Sequence, residues 1–170
     1  MRTVGEVDAF VAVAHAGQVD KAGVPYVEHV RAVAAGVAPF GPELRMAALL
    51  HDVIEDTDWT AGQLRALGVP DRVVGVVEAV TNQPGVPYAD KIRRITSSRE
   101  ATLVKIADNA HNSRPDRAAA LPPDQRERLA AKYRAARDVL WAAIDRRDIE
   151  TVIGIVNPAL LPELAERPAP

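Results

Sequence analysis

Apolar residues recur every three or four positions in segment after segment of this chain, the mark of helices that each bury one face. The longest case follows Pro122 and Pro123, where Leu129, Tyr133, Ala136, Leu140 and Ile144 form one stripe. Near the start, Val7, Phe10, Val11 and Ala14 share a face in a segment that ends at Gly17. Pro25 opens a second segment, with Val27, Val30, Val33 and Ala34 inward. A turn at Pro39 to Pro42 precedes a third helix, expected to run from Pro42 to Glu55. Thr60 with Gln63, and Ser97 with Glu100, have capping-box spacing and start two more. "YADKIRRI" reads as a short helix between them. Residues 70–81 carry the β-branched side chains of a strand, but their neighbours are helical and no partner strand is in sight, so they read as a buried helix. The expectation is an all-α fold: one bundle of about eight helices over residues 1–150. An extension over 151–170 would follow, a short apolar segment and then a Pro-rich tail that frays or packs on a partner.

The 170 residues fit one core. With 21 basic and 23 acidic residues the net charge is −2, which argues against a generic nucleic-acid binder but allows a basic pocket for a small phosphorylated ligand. There is no cysteine, so any metal must be held by His, Asp and Glu. No apolar run approaches the length of a membrane span, and "MRTVGEVDAF" lacks the apolar stretch of a signal peptide. A cytoplasmic protein without membrane contact is the expectation, with room for a homo-oligomer.

The function lies in residues that violate the helical pattern. In "ALLHDVIEDT", residues 47–56, an apolar run goes straight into His51-Asp52 and then Glu55-Asp56. Burying an unpaired carboxylate costs several kcal/mol, so cations, water or a metal must compensate it. Alone, such a string is as readily the wet end of a helix. Two other helices repeat the oddity: His29 sits beside Val30 and one turn from Val33, and Asp108 follows Leu103, Val104, Ile106 and Ala107. One His, a His-Asp pair and one Asp from three helices supply four ligands and leave coordination positions open, as a catalytic metal requires.

The order H…HD…D on a helical chain resembles the HD superfamily of metal-dependent phosphohydrolases. More narrowly, "HAGQVDKAGVPYVEHV", "LLHDVIEDT" and "LVKIADNAHNSR" resemble the hydrolase domain of the RelA/SpoT family and its small single-domain relatives, over about residues 8–140. Those enzymes remove the 3′-pyrophosphate of the alarmone ppGpp. The resemblance implies that His29, His51, Asp52 and Asp108 hold a divalent ion, usually manganese. It implies that Glu55 and Asp56 orient and deprotonate the attacking water, and that Asn112 contacts the bound nucleotide. Lys21, Lys105 and Arg114 are the candidate phosphate contacts, with Glu55 or Asp56 as another partner for Lys105. Arg128, Lys132 and Tyr133 fall in the region that closes over the nucleotide in that family, although Tyr133 also lies on the apolar stripe. His15 and His111 read as hydrogen-bonding or packing residues, Trp59 as a staple for the next helix, and Trp141 as core or interface. Asp20 departs from the family, which often has an Arg there that packs on the guanine base. Asn109-Ala110 departs as well. Asp20 implies a weak preference for ppGpp, which an Asp20→Arg change would strengthen. It keeps open a phosphatase for a nucleoside monophosphate or a phosphorylated dinucleotide cofactor. A non-catalytic nucleotide sensor is a further alternative.

Overall fold

The computed structural model describes residues 1–167. Twelve α-helical segments follow one another: α1 Val4–Ala14, α2 Tyr26–Gly36, α3 Pro42–Leu50, α4 Val53–Asp56, α5 Ala61–Ala66, α6 Asp71–Val80, α7 Tyr88–Ile95, α8 Arg99–Asn112, α9 Pro115–Ala119, α10 Pro123–Trp141, α11 Arg146–Val156 and α12 Leu161–Ala165. The number exceeds the expected eight because α4, α5, α9 and α12 are only four to six residues long. Among the described residues there is no strand, only an isolated bridge between Val19 and Pro25. Residues 71–80 are helical, as their neighbours imply. No helix among the described residues is long and apolar enough to cross a membrane.

The core is built around α3 and α8. Met46 to Leu50 are all buried, and α3 lies against α1, α2 and α6. From Ala101 to His111 only Lys105 is not fully buried, because α8 is enclosed by α2, α6, α10 and α11. Each large aliphatic side chain sealed in this way contributes about 1.5–3 kcal/mol. Gly36 permits the close approach of α2 to α11, since a Cβ there would collide with Val156 Cγ2. Trp59 meets Phe10 edge to face at 5.0 Å, pinning the segment before α5 onto α1.

Local signals place most helix starts. Thr60 accepts from the Gln63 amide in a full capping box. The expected Ser97–Glu100 box is shifted by one: Ser98 is the cap, and its hydroxyl accepts from the Ala101 amide at 3.2 Å. The third helix also departs from expectation, ending at Leu50 and restarting at Val53.

The boundary expected near residue 150 falls inside α11. Ile149, Val152, Ile153 and Val156 of that helix are buried, and it packs on α2 and α8. Beyond it, Asn157 Nδ2 donates to the Ala110 carbonyl at 3.0 Å, Arg137 pairs with Glu163 at 2.7 Å, and Leu160 and Leu164 are buried. Residues 151–165 thus close the same core that α2 and α8 form. Trp141 is 4 % exposed, with the Arg167 guanidinium 4.6 Å from its ring centre. Of the proline-rich tail, Pro168 and Pro170 lie outside the described residues.

Candidate active site

Three packed helices bring the singled-out residues together. His29 projects from α2, Asp108 from α8, and His51 and Asp52 occupy the break between α3 and α4. At Asp52 the backbone turns to φ −104, ψ −3, and its carbonyl accepts from the amides of both Glu55 and Asp56. The break therefore starts a new turn, which carries the acidic pair. Ligand atoms of His29, His51 and Asp108 all lie within 4.8 Å of one another. His29 Nε2 is 3.4 Å from Asp108 Oδ1 and 3.5 Å from Asp52 Oδ2. His51 Nε2 is 2.9 Å from Asp52 Oδ2 and 3.9 Å from Asp108 Oδ1.

The protonation pattern bears on whether a cation fits. His51 Nδ1 lies 2.8 Å from the Ala48 carbonyl, which can only accept, so Nδ1 carries a hydrogen and Nε2 is the atom turned to the cluster. That Nε2 is buried and has no hydrogen-bond partner. It lies 2.9 Å from Asp52 Oδ2, where a cation shared by the two, a proton or a metal ion, would satisfy both. His29 Nδ1 meets His111 Nδ1 at 2.8 Å. Burial and the neighbouring charges of His29 and Arg117 push His111 down to about 3, so it is neutral. With His111 accepting, His29 Nδ1 donates and Nε2 faces the two carboxylates. Burial opposes a proton on His29, yet Asp108 and Asp52 outweigh it and lift the group to about 9; the same field attracts a metal cation. Two imidazole nitrogens with carboxylate oxygens, and no sulfur, form a donor set for a divalent metal ion.

The carboxylates are held from behind. Tyr26 donates to Asp52 Oδ2 at 2.6 Å. Lys105 donates to Asp108 Oδ2 and Asn112 Nδ2 to Asp108 Oδ1, each at 2.5 Å. Burial alone would raise both acids, but His51 and His29 hold Asp52, and Lys105 and the histidines hold Asp108, well below the usual carboxylate range. Lys105 is therefore committed to Asp108 and not to Glu55 or Asp56, and Asn112 orients the same acid.

Glu55 and Asp56 stand at the cavity beside this cluster. Glu55 accepts from the Asn82 amide at 3.0 Å and from Asn82 Nδ2. Lys91, almost fully buried, donates to Asn82 Oδ1 and lies 3.8 Å from Glu55 Oε2. Burial and the charge of Lys105 bring Lys91 down to about 8. Burial and the charge of Asp52 raise Asp56 above the usual range. The Asp56 carbonyl accepts from Gln18 Nε2 at 2.9 Å, and Gln18 Oε1 meets His15 Nδ1 at 2.7 Å, so His15 supports the acidic turn and is no ligand.

Asp52, Asp108, Glu55, Asp56, Asn82 and Lys91 line a cavity of about 460 Å³. Lys21, Lys105 and Asn112 line it, but Arg114 does not: its guanidinium holds Asp116 at 2.9 Å. Arg117, one helical turn on, lines it instead. Tyr133 is half-buried and forms part of the wall, as does Lys132, whose Nζ lies 4.0 Å over the Tyr88 ring. Tyr26, Asn82, Lys91 and Arg117 were not singled out in the sequence. Two of them leave a trace there: Lys91 shares the predicted helix "YADKIRRI" with Ile92 and Ile95, beside the buried face, and Tyr26 lies in the segment "HAGQVDKAGVPYVEHV".

A guanosine-3′,5′-bis(diphosphate) 3′-pyrophosphohydrolase of Haemophilus influenzae is 36% identical over 131 residues, which are 69% of this chain and 19% of that protein. The chain thus spans about a fifth of the length of this bacterial relative. The guanosine-3′,5′-bis(diphosphate) 3′-pyrophosphohydrolase MESH1 of Danio rerio is 36% identical over 104 residues, covering 56% of this chain and 57% of its own. A solved structure described as a metazoan orthologue of SpoT that hydrolyses ppGpp superposes with a TM-score of 0.73 at 25% identity, over 92% of this chain and 94% of its own. The model of the HD domain family matches residues 9–147, and the chain belongs to that family.

Proposed function

We propose that the protein is a metal-dependent phosphohydrolase that removes the 3′-pyrophosphate of ppGpp, with His29, His51, Asp52 and Asp108 holding one divalent ion, manganese in the first instance. The observation that carries this reading is the orphaned His51 Nε2, buried and facing the Asp52 carboxylate beside a cavity that also holds Glu55 and Asp56. Three relatives whose names or descriptions include ppGpp hydrolysis support the choice of substrate. As a nucleotide hydrolase the protein would act in the cytoplasm.

When bound, the ion supplies Lewis-acid activation of water and of the scissile phosphorus–oxygen bond. The chain's own residues supply the remainder. Glu55, gripped by two N–H groups of Asn82, is fixed in orientation and accepts a hydrogen bond from the attacking water. Asp56, made more basic by burial and by Asp52, takes the water proton. The water oxygen bonds to phosphorus, the bond from phosphorus to the ribose 3′-oxygen breaks, and that oxygen receives the proton that Asp56 took. Lys21 and Lys132 offset the charge of the polyphosphate.

Asp20 at the same cavity favours a second reading, in which another phosphorylated nucleotide is the substrate. Both readings are tested by following pyrophosphate and phosphate release over a panel of nucleotides, with manganese and after chelation. Manganese-dependent release of pyrophosphate from ppGpp is the expected result. Turnover that survives chelation would exclude the metal mechanism. Release from other nucleotides but not from ppGpp would select the second reading.

A further inference from the structure

The last turn of α8, Asn109 to Ser113, is gripped from outside by side chains that no step of the reaction uses. Arg137 of α10 is 7 % exposed, and four of the five N–H groups of its guanidinium are engaged. Nη1 donates to Asn109 Oδ1 at 3.1 Å and to Ser113 Oγ at 3.0 Å, so it bridges the two ends of the turn. Nε and Nη2 donate to the two carboxylate oxygens of Glu163 in α12, at 3.0 and 2.7 Å. The buried Asn109 donates in turn from Nδ2 to the Tyr133 carbonyl at 3.1 Å. The next residue, Ala110, has its carbonyl held by Asn157 Nδ2 at 3.0 Å. Asn109 and Ala110 are the pair at which the sequence departs from the RelA/SpoT pattern, and Asn157 and Glu163 lie beyond the residues that the HD family model matches.

Between the gripped positions, the same turn carries His111 and Asn112. His111 Nδ1 accepts from His29 Nδ1 at 2.8 Å, and Asn112 Nδ2 donates to Asp108 Oδ1 at 2.5 Å. Each therefore orients one proposed metal ligand, as hydrogen bonds behind a metal site do. Side-chain ends lie about 5–6 Å from a helix axis, so turning this segment by about 10° would move them by about 1 Å. That is enough to take a hydrogen bond of normal length out of range. We propose that Arg137, Glu163 and Asn157 are positioning residues for the metal site: the C-terminal segment clamps the last turn of α8, and through His111 and Asn112 the clamp holds His29 and Asp108 in the ligating orientation. This rests on the metal-site reading for the ligands, and adds what keeps them in place.

Two conservative variants isolate the claim. Arg137→Lys keeps a cation for Glu163 but loses the planar fork that reaches Asn109 and Ser113 as well. Glu163→Gln keeps an acceptor for Arg137 and loses the charge. Calorimetric titration of manganese into the full chain, at a temperature where circular dichroism shows parent and variants folded, reads the site and not global stability. Affinity should fall about 2- to 30-fold, the range of coupling through a network of packed side chains, with the larger loss in Arg137→Lys. The ring nitrogen resonances of the chain's four histidines in metal-free protein give a second readout. Those of His29 and His111 should shift, while those of His15, held by Gln18, should stay. Should Arg137→Lys not fold, Ser113→Ala removes one end of the bridge, and the same two effects are expected at the low end of the range. If the parent binds manganese and the folded variants bind it equally well, or leave His29 and His111 unmoved, the proposal is overturned and the metal site stands. A lower melting temperature alone is that same negative result, since the clamp would then serve only the core. A parent that binds no manganese removes the metal site, and the proposal with it.

Discussion

Lys105→Met separates the two roles open to that lysine. Its ammonium is 2.5 Å from Asp108 Oδ2, with the side chains 13 % and 9 % exposed. Methionine fills similar volume and leaves the carboxylate without its cation. Breaking a buried pair by removing one partner costs about 3–5 kcal/mol, because the remaining charge stays buried. For a chain of this size each kcal/mol moves the melting temperature by about 2–4 °C, so the metal-free variant should melt about 6–20 °C below the parent. Manganese should recover much of that loss, because a divalent ion at His29 and His51 neutralises the same carboxylate, and removing a competing cation strengthens its binding. The expected result is therefore a larger metal-induced rise in melting temperature for Lys105→Met than for the parent. Thermal unfolding of both proteins, with chelator and with excess manganese, measures the four values needed. If the metal-free variant melts within 2 °C of the parent and instead shows a raised KM for ppGpp, Lys105 is a phosphate ligand and the assignment to Asp108 is wrong.

Glu55→Gln and Asp56→Asn should each keep the metal content of the parent by elemental analysis and lower kcat by about 10²–10⁴, the usual contribution of a positioned base; full turnover in both would place the base elsewhere. In metal-free protein, His29 is raised from its ordinary 6.5 to about 9, so it stabilises the fold below pH 6.5 and loses that contribution as pH rises through 9. Lys91, lowered to about 8, acts in the opposite sense above that pH, so the chelated protein should weaken most clearly between pH 6.5 and 8. Denaturant midpoints at three pH values check this, and saturating manganese should flatten the trend. Asp20→Arg should cost at least about 2 kcal/mol, since the Ala22 and Val24 amides and Arg117 all lose their acceptor, and should not improve ppGpp turnover. A stable Asp20→Arg protein with raised kcat/KM would restore the expectation drawn from sequence alone.

What the sequence made legible follows from where the signals are local. The periodic stripes and the Thr60–Gln63 cap act within one turn, so the helices they define appear where expected. His29, His51, Asp52 and Asp108 were readable because each interrupts an apolar run, and an interrupted run needs a compensating partner. The break after Leu50 was not readable: Leu50 to Val53 contains neither Gly nor Pro, and the helix gives way at Asp52, whose carboxylate accepts from Tyr26. Arg114 and Arg117 are indistinguishable by spacing. Only the turn into α9 decides that the first reaches Asp116 and the second Asp20. The long-range partners, Asn82 for Glu55 and Tyr26 for Asp52, are set by packing between distant elements. A solvated charge and a buried, paired one look alike in a single sequence.

Charge balance inside the cavity ties substrate binding to the ion. Five carboxylates, Asp20, Asp52, Glu55, Asp56 and Asp108, and five cations, Lys21, Lys91, Lys105, Arg117 and Lys132, line it. Three of those cations are already turned inward: Lys105 to Asp108, Arg117 to Asp20, and Lys91 to the Asn82 that grips Glu55. The metal-free cavity therefore offers a polyphosphate little net attraction. A divalent ion at the histidines adds two positive charges where the carboxylates are densest, and so makes room for the negative charge the substrate brings. Substrate and metal should bind with positive coupling, each tightening the other by the same factor. Pyrophosphate titrated into chelated and manganese-loaded protein measures that coupling directly. Equal affinity in the two states would mean that the lysines alone hold the phosphates and that the ion serves only the chemical step.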